Sequence, residues 1–557
     1  MRDAAKIDMG GGVLLERRVP CRLSDGVTLY SDHYYPPGGG AQPTLLMRQP
    51  YGRDIASTVA YAHPTWFARH GYNVVIQDVR GRGDSEGDFY PFRHEAHDGA
   101  ETIAWLRTRP ESNGKLGMYG FSYQGMTQLL AAAEQPEGLV CIAPAMTACD
   151  LYSGWFYQGG ALRLSSTLGW GLQLLKEDAR RRGLREASDL LEQAWANLPA
   201  QFVETPYAGH PVFGSDALPT YLRDWIEHDQ PGEYWRSMDV SQSLDKITIP
   251  ALHVSGWYDT YLRGSVDGFN AMRELAEHQY LLAGPWVHIP WGDRIGPLRL
   301  GVDANFDTDA FLLRWFHHWL KGTGEFANEP AIRHFALGEA KWHSASKFPA
   351  VSQTWYLHGT NRANSSKGDG NLSEAKPRPD EPPDIFVYDP EVPVVAPGVG
   401  PVDQAAMELG NHLLVYTSAS LQAPLHVFGA VEVEIYCATS ASHTDLVGKL
   451  LCVKPNEDVI FIAIGVARSS ILFDSYKADQ VQRWCFSLEP TSCVFATGER
   501  LRLEIASCAY PLFDRNPGTA IAPRLADSWT WQRSTQSIYH DTDRPSAIHL
   551  PIAGGDA

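Results

Sequence analysis

The sequence predicts an α/β fold with an inserted helical segment and a C-terminal β module of the sandwich or jelly-roll kind. Three observations lead to this prediction. Short apolar strands alternate with helical patterns near the N-terminus, helical patterns alone follow, and strands with turn residues dominate the C-terminal region. The length of 557 residues also exceeds what one domain usually holds, so more than one core is expected.

The first part, residues 1–149, is predicted to build a mainly parallel sheet from βαβ units. Short apolar runs indicate its strands, and apolar residues at helical spacing indicate its helices. The strands are expected at 44–48, 73–78 and 116–119, and the helices at 98–107 and 126–134.

Residues 150–245 form the predicted helical insertion. Helices are expected at 172–183, 185–198 and 218–228, and the segment shows no convincing strand. The α/β pattern resumes in residues 246–350, with strands at 251–256 and 278–283. An amphipathic helix then runs from Asp307 to Lys321, and Gly322 should end it because glycine readily adopts the left-handed backbone found there.

The C-terminal module is expected at 351–557. Residues 361–405 are rich in Pro, Gly, Asn and Asp, which favours a long connection between modules. Segments 431–435 and 501–505 alternate apolar with charged residues, as half-buried antiparallel strands do. Repeated strands of this kind predict a β-sandwich or jelly roll.

Charge and hydropathy narrow the classes of function. The net charge of −18 disfavours nucleic acid and anionic membranes as partners. The longest apolar stretches fall well short of the ~20 residues that span a bilayer. The N-terminal residues lack the apolar core of a secretory signal, so a cytoplasmic protein is the default expectation.

The sequence predicts neither a metal site nor a cofactor. Eight cysteines are thinly spread without a CxxC pair, which favours buried thiols over a disulfide framework or a zinc site. Pairing among Cys485, Cys493 and Cys508 stays open. Gly81 and Gly83 are followed by Glu86 where a dinucleotide motif needs its third glycine, so this segment is interpreted as a structural loop.

The sharpest chemical signal is the segment from Gly120 to Gly125, which places Ser122 between a predicted strand and a predicted helix. Such a tight turn exposes a serine hydroxyl above the sheet, with the helix N-terminus facing a developing oxyanion. Gln124 occupies the place of the second glycine in the usual G-x-S-x-G pattern. Taken alone, the segment fits a helix capped by Ser122 equally well.

Asp259 and His288 follow Ser122 in the order serine, acid, histidine that α/β-hydrolases use. Each lies just past the C-terminal end of a predicted strand, at the edge where open α/β sheets bind ligands. Asp259 alone fits a turn residue, and His288 alone fits a loop histidine. Their joint placement favours a catalytic triad.

Tyr51 follows the strand predicted at 44–48. Its phenol could donate to an oxyanion beside the backbone N–H of Tyr123. Without further information, the pattern around Tyr51 favours a packed tyrosine.

Seven motifs in chain order resemble the cocaine esterase and X-prolyl dipeptidyl peptidase group of serine hydrolases. They lie at 48–51, 78–87, 98–106, 120–125, 256–259, 284–288 and 511–517. The resemblance covers nearly the whole chain and implies an α/β-hydrolase domain, a helical cap and a C-terminal jelly roll. It also implies a triad of Ser122, Asp259 and His288, with the Tyr51 hydroxyl and the Tyr123 N–H as the oxyanion hole.

The resemblance places Trp155, Trp170 and Tyr261 around the acyl group of the substrate. The acidic residues with which some relatives hold a substrate ammonium are missing after Asp259 and from residues 151–155. We therefore expect a cofactor-independent serine hydrolase that cleaves small-molecule carboxylic esters with aromatic or apolar acyl groups, with amides left open. The alternatives are an X-prolyl dipeptidyl peptidase, an amide acylase and, outside the enzymes, a jelly-roll binding protein on a degenerate hydrolase scaffold. Relatives include homodimers, so a homodimer is also left open.

Overall fold

The computed structural model describes residues 6–54, 56–296, 298–326, 328–350, 352–396, 400 and 402–554. The first strands are β1 (Ile7–Asp8), β2 (Leu14–Arg22), β3 (Thr28–Tyr35), β4 (Gln42–Gln49), β5 (Asn73–Asp78), β6 (Ser112–Phe121) and β7 (Leu139–Ala145). The helices among them are α1 (Pro64–Arg69), α2 (Glu95–Arg107) and α3 (Tyr123–Ala133). The predicted strands and helices of this part are confirmed, with ends that differ by a few residues.

The predicted helical insertion contains a short hairpin and five α-helices among the described residues, besides a π-helical turn at Tyr152–Phe156 and short 3-10 turns. The hairpin strands are β8 (Tyr157–Gln158) and β9 (Ala161–Leu162). The helices are α4 (Leu164–Arg181), α5 (Arg185–Ala196), α6 (Leu198–Val203), α7 (Tyr221–Glu227) and α8 (Glu233–Arg236). Helix α4 begins well before the predicted residue 172, because burial of Leu164 and Leu168 outweighs the weak helix propensity of the two serines and the threonine between them.

The α/β part then resumes. Its strands are β10 (Ala251–Tyr258), β11 (Gln279–Val287), β12 (Arg294–Ile295), β13 (Leu298–Arg299), β14 (Ile332–Ala336) and β15 (Lys341–Ala345). Its helices are α9 (Leu262–Leu275) and α10 (Thr308–Phe316). Helix α10 continues as a π-helical turn to Lys321, and Gly322 ends it in the left-handed conformation, as predicted.

These strands build one twisted sheet, which among the described residues has the order β1-β2-β3-β5-β4-β6-β7-β10-β11-β14-β15. The run from β5 to β14 in this order is parallel, so the predicted mainly parallel sheet is confirmed. Strand β4 sends Leu45 and Met47 into one apolar core and Leu46 into another. A sheet buried on both faces carries its functional residues at the strand ends.

The C-terminal module is built mainly of antiparallel strands. They are β16 (Ser352–His358), β17 (Asn371–Ser373), β18 (Asp384–Tyr388), β19 (Leu414–Ser418), β20 (Leu425–Gly429), β21 (Glu432–Thr439), β22 (Asp445–Val453), β23 (Val459–Arg468), β24 (Gln482–Ser487), β25 (Thr491–Phe495), β26 (Arg500–Ala506), β27 (Ser534–Tyr539) and β28 (Ala547–Pro551). The one-turn helix α11 (Ser469–Leu472) follows β23. The assignment of this module as a jelly roll stays a prediction.

The structure corrects two expectations. Residues 361–405 are not a connection between modules, because β17 pairs with β16 and β19, and β18 pairs with β27 in the C-terminal sheet. The insertion is not purely helical, because it contains the β8–β9 hairpin. Gly159 in this hairpin accepts a hydrogen bond from the Arg468 N–H of the C-terminal module at 2.8 Å. A side chain at Gly159 would lie 1.9 Å from the Val466 carbonyl oxygen. Strands this short form through tertiary contact and leave no periodic signal in the sequence.

The two modules are joined by buried polar contacts. Arg163 in the insertion forms an ion pair with Glu489 at 2.8 Å, and the Tyr258 hydroxyl donates to the Phe461 carbonyl at 3.2 Å. All eight cysteines are free thiols, of which Cys485 is exposed. Within the described ranges, no helix is both long and apolar enough to cross a bilayer.

Candidate active site

Ser122 lies in a strained turn between β6 and α3. Its backbone has φ 60° and ψ −127°, in the positive-φ region that non-glycine residues rarely adopt. A side chain on Gly120 would lie 2.5 Å from Gln124 Cβ, and one on Gly125 would lie 2.8 Å from Thr147. The second glycine is therefore needed at Gly125, one residue later than in the usual pattern. The position it vacates holds Gln124, whose side chain accepts from the Phe121 N–H at 3.2 Å.

Asp259 and His288 are brought together by the register of two parallel strands. Tyr258 at the end of β10 pairs with Val287 at the end of β11, so the residue that follows each strand faces the other. His288 Nδ1 lies 2.6 Å from Asp259 Oδ1. The Asp259 side chain is fully buried, whereas that of His288 is 29% exposed. This hydrogen bond leaves His288 Nε2 available for a second partner.

Gly256 and Gly284, which begin the motifs at 256–259 and 284–288, permit the close approach of β10 and β11. A side chain on Gly256 would lie 2.2 Å from the Trp286 carbonyl oxygen, and one on Gly284 would lie 2.3 Å from the Trp286 ring. Trp286 is itself fully buried. Only glycine allows β10 and β11 to pack around this indole, which is why both motifs begin with it.

Ser122 and His288 open onto the same cavity, which has a volume of about 440 Å³. Aromatic and aliphatic side chains form much of its wall, and its described lining contains no Asp, Glu, Lys or Arg. Its described lining consists of Tyr51, Val59, Phe121, Ser122, Gln124, Ser166, Trp170, Gln173, Thr260, Tyr261, His288 and Ile289. None of these residues carries a carboxylate.

Tyr51 lies on the loop after β4, which is held by a buried polar network. The Gln49 side chain accepts from the Tyr51 N–H at 2.8 Å and donates to Asp78 Oδ1 at 3.2 Å. Asp78 also accepts from the Arg53 backbone N–H at 2.8 Å. The guanidinium of Arg53 bonds to Asp78, Asp32 and Asp84. The phenol is thus carried by a loop that is fixed on both sides.

The Tyr51 hydroxyl is half-buried at the cavity wall and accepts a hydrogen bond from Trp170 Nε1 at 3.0 Å. Burial raises the pKa of this phenol to about 12, an increase opposed by the Trp170 hydrogen bond, the charge of Arg82 and the Ser122 side chain. The phenol is therefore neutral near pH 7 and keeps its proton for donation.

Tyr123 is the first residue of α3, so its N–H has no partner within the helix. Its side chain is fully buried, and two hydrogen bonds of its hydroxyl anchor the N-terminus of α3. The Tyr123 hydroxyl donates to Glu95 at 2.7 Å and accepts from the Phe92 N–H at 3.0 Å. The Tyr123 N–H and the Tyr51 hydroxyl can thus both serve an oxygen held above Ser122.

The aromatic residues expected around the acyl group occupy two layers. Trp170 and Tyr261 line the cavity directly. Trp155 does not reach it: its ring is stacked behind Tyr261, with centroids 4.1 Å apart. Trp155 also contacts Trp170, with centroids 5.5 Å apart, so it can shape the cavity through the two rings in front of it.

Sequence reasoning missed the polar residues that hold the loop after β4, which carries Tyr51. Gln49 and Asp78 lie within motifs noted only for their resemblance, and Arg53 lies outside those motifs. The signal that could have found them was the cluster of charged residues in otherwise apolar strand ends, since buried charges need partners. Among the described residues, no group of three or more His, Cys, Asp or Glu side chains could hold a metal ion.

Comparisons with known proteins give this geometry a context. Residues 25–290 match the family model described as X-Pro dipeptidyl-peptidase (S15 family), and residues 324–549 match its C-terminal non-catalytic domain. The chain is 31% identical to cocaine esterase of Rhodococcus sp. over 574 aligned residues, which cover 97% of this chain and 99% of that enzyme.

Solved structures show the same fold. An aminopeptidase from a marine sediment archaeon (Thaumarchaeota) superposes with a TM-score of 0.82 at 22% identity, covering 96% of both chains. An α-amino acid ester hydrolase superposes with a TM-score of 0.79 at 23% identity, covering 98% of both chains. The alignment with cocaine esterase spans nearly the full chain, and the two family models match in order. The chain therefore belongs to the S15 family of serine hydrolases that includes cocaine esterase and the X-prolyl dipeptidyl peptidases.

Proposed function

We propose that this serine hydrolase cleaves carboxylic esters of uncharged aromatic or apolar acids, with Ser122 as nucleophile, His288 as general base and Asp259 as the orienting acid. One observation carries the proposal. His288 is held by Asp259 at 2.6 Å and opens, with Ser122, onto a cavity whose described lining has no carboxylate.

Acylation begins when His288 Nε2 takes the proton of the Ser122 hydroxyl. Ser122 Oγ then attacks the ester carbonyl carbon, and the carbonyl oxygen becomes an oxyanion. Asp259 keeps the His288 proton on Nδ1 and stabilises the imidazolium that forms. The imidazolium returns its proton to the leaving alcohol as the tetrahedral intermediate collapses to an acyl-enzyme.

The oxyanion is stabilised by the Tyr51 hydroxyl and the Tyr123 N–H. Both groups are held before substrate arrives, Tyr51 by the loop after β4 and Tyr123 by the start of α3. Donors that need no reorganisation stabilise the transition state more than the ground state. Water, activated by His288, then attacks the acyl-enzyme through a second tetrahedral intermediate and releases the acid.

The preference for uncharged acyl groups follows from the wall of the cavity. Phe121, Trp170 and Tyr261 present flat apolar surfaces, against which an aromatic acyl group can pack. A substrate ammonium would leave water without gaining a carboxylate partner from the described lining, at a cost of several kcal/mol by the general expense of unpaired buried charge. Aminopeptidase activity is therefore the less favoured alternative, although the family includes peptidases.

The experiment compares the wild type with Ser122→Ala. The wild type should hydrolyse p-nitrophenyl benzoate and react with a fluorophosphonate in a one-to-one ratio, whereas Ser122→Ala should do neither. A wild-type chain that a fluorophosphonate does not label would support a binding protein on a degenerate scaffold. Faster cleavage of Ala-Pro or Gly-Pro anilides than of benzoyl esters, lost when the amino end is blocked, would support a dipeptidyl peptidase.

A further inference from the structure

The hydrogen bond between Trp170 and Tyr51 has a fixed direction. Trp170 Nε1 lies 3.0 Å from the Tyr51 hydroxyl oxygen. An indole N–H can only donate, so the phenol oxygen must be the acceptor in this pair. The phenol proton is therefore left for a different partner.

Tyr51, Trp170 and Ser122 line the same cavity. The Ser122 side chain also acts on the pKa of the Tyr51 phenol, so the two hydroxyls are neighbours. Because the Trp170 N–H occupies the phenol oxygen, the phenol proton is free to be donated toward Ser122 or toward an oxygen held above it. In the tetrahedral intermediate the oxyanion is attached to the carbon bonded to Ser122 Oγ, so it lies in nearly the same direction from Tyr51.

We infer that Trp170 is a positioning residue of the oxyanion hole, whose N–H keeps the Tyr51 proton directed at Ser122 and at the oxygen of the substrate. The inference rests on the proposed function, since it requires Tyr51 to be an oxyanion donor. A hydroxyl rotates freely about its C–O bond unless a second group holds it, and a donor oriented in advance needs no reorganisation during reaction. The hydrogen bond that Tyr51 accepts also polarises its own O–H.

The indole is itself held in place. Trp170 stacks on Trp225 with centroids 5.1 Å apart and planes 3° apart. Helix α4, which carries Trp170, is tied to the loop after β5 by Arg82, whose buried guanidinium bonds both carboxylate oxygens of Asp178 at 3.2 and 3.0 Å. The donor and the acceptor of the Trp170–Tyr51 bond are therefore fixed to the same part of the hydrolase sheet.

This role differs from that of a cavity wall, which Trp170 also forms. A wall acts through the shape of the ring and changes substrate affinity and acyl preference. The N–H acts through Tyr51 alone and changes the rate of the chemical step. Trp170→Phe keeps an aromatic ring and removes the donor, so the two contributions can be separated.

The experiment is a double-mutant cycle on kcat and KM for p-nitrophenyl benzoate, using Trp170→Phe, Tyr51→Phe and the double variant. We expect Trp170→Phe to lower kcat about tenfold, less than the loss of the donor itself, with KM changed less than about threefold. In the Tyr51→Phe background, Trp170→Phe should change kcat less than about twofold, because the hydroxyl that it orients is gone. Affinity for a boronic acid, which forms a tetrahedral adduct with an active serine, should fall in parallel with kcat.

Trp484→Phe is the matched control. Trp484 is fully buried on β24 of the C-terminal module, and its indole Nε1 has no hydrogen-bond partner among the residues that the structure describes. The same substitution there removes an N–H that orients nothing, so kcat should stay within about twofold of the wild type. Should Trp170→Phe fail to fold, Trp170→β-(3-benzothienyl)alanine replaces the N–H by sulfur and keeps the shape of the indole.

The outcomes distinguish this inference from the proposed function. Tyr51→Phe with a large loss of kcat, together with Trp170→Phe or its benzothienyl counterpart at the wild-type rate, would overturn the inference and leave the oxyanion role of Tyr51 standing. Equal effects of Trp170→Phe in both backgrounds would likewise overturn it. A Tyr51→Phe variant with wild-type kcat would overturn both the inference about Trp170 and the oxyanion role of Tyr51.

Discussion

The carboxylate of Asp78 accepts hydrogen bonds from both the backbone N–H and the guanidinium of Arg53, two residues after Tyr51. Asp78 lies at the end of β5, which is parallel to and paired with β4, so it reaches the neighbouring loop directly. The Gln49 side chain, two residues before Tyr51, also donates to Asp78, so this one carboxylate contacts residues on both sides of Tyr51. Asp78, the first residue of the motif at 78–87 that was noted only for its resemblance, thus helps to hold the loop that carries the proposed oxyanion donor Tyr51.

Asp78→Asn should therefore weaken both stability and catalysis. The variant removes one of the three carboxylates paired with the buried Arg53 guanidinium. The loss of unfolding free energy should therefore stay below the roughly 3 to 5 kcal/mol that a fully uncompensated buried charge costs. Chemical denaturation measures this loss, and steady-state kinetics should show a lower kcat as the Tyr51 loop loosens. A variant as stable and as active as the wild type would show that Asp32 and Asp84 suffice to hold Arg53.

Tyr51→Phe should lower kcat by about 10² to 10³, the usual effect of losing one oxyanion donor. The change removes one hydroxyl and little volume, so KM should change little. Pre-steady-state and steady-state kinetics with p-nitrophenyl benzoate measure both. A loss below tenfold would mean that the phenol serves packing.

The pH profile of the wild type tests the same phenol. Its pKa is raised to about 12, so Tyr51 stays protonated, and able to donate, through the alkaline range of ordinary assays. We expect kcat not to decline between pH 8 and about pH 10 through ionisation of Tyr51. A decline there in the wild type that is absent from Tyr51→Phe would contradict this.

Asp259→Asn should lower kcat by about 10⁴ while leaving the fold intact. The amide has nearly the shape of the carboxylate, yet its neutral group no longer stabilises the imidazolium and favours the wrong His288 tautomer. Asp293→Asn, a half-buried position on the loop after His288, is the matched control and should keep wild-type kcat. Near wild-type activity of Asp259→Asn would show that His288 is oriented by other contacts.

The ratio of benzoyl to acetyl ester hydrolysis tests the acyl wall. Tyr261 lines the cavity, whereas Trp155 is stacked behind it, so Tyr261→Ala should lower this ratio more than Trp155→Ala does. Trp170→Ala should also lower it by loss of aromatic surface. An unchanged ratio in Tyr261→Ala and Trp170→Ala would place the acyl group elsewhere.

Acid should destabilise the contact between the hydrolase sheet and the C-terminal module. Burial, with the charges of His426 and His343, lowers the pKa of His334 to about 3, and that of His426 falls to about 4. His334 Nδ1 and His426 Nε2 both hydrogen-bond the Ser492 hydroxyl, at 2.9 and 3.0 Å. The unfolded chain binds protons at these sites below its own value of 6.5, before the folded protein does.

The contribution of these two histidines to the free energy of unfolding is therefore fully present above pH 6.5. It falls as the pH drops toward their pKa values in the folded protein, by about 1.4 kcal/mol per pH unit for His334. Thermal unfolding between pH 7.5 and pH 5 measures the slope. His334→Gln should make it shallower, whereas His97→Gln, at an exposed position on α2, should not. An identical slope in His334→Gln would show that other groups govern acid unfolding.

The sequence by itself determined the alternation of strands and helices, because burial on both faces of a sheet requires short apolar runs and helical spacing between them. It also placed Ser122 at a strand-to-helix turn and Asp259 and His288 at strand ends, since these are properties of neighbouring residues. Short elements escaped it: the β8–β9 hairpin exists only through its contact with Val466 and Arg468.

Tertiary structure decided how these groups meet. The pairing of Tyr258 with Val287 sets Asp259 against His288, and a slip of one residue would have turned them apart. The bond from Trp170 to Tyr51 joins groups 119 residues apart, and the placement of Trp155 behind Tyr261 depends on how the insertion packs. Register, depth and the direction of a hydrogen bond depend on which surfaces of distant segments come into contact, and no local pattern of residues encodes that.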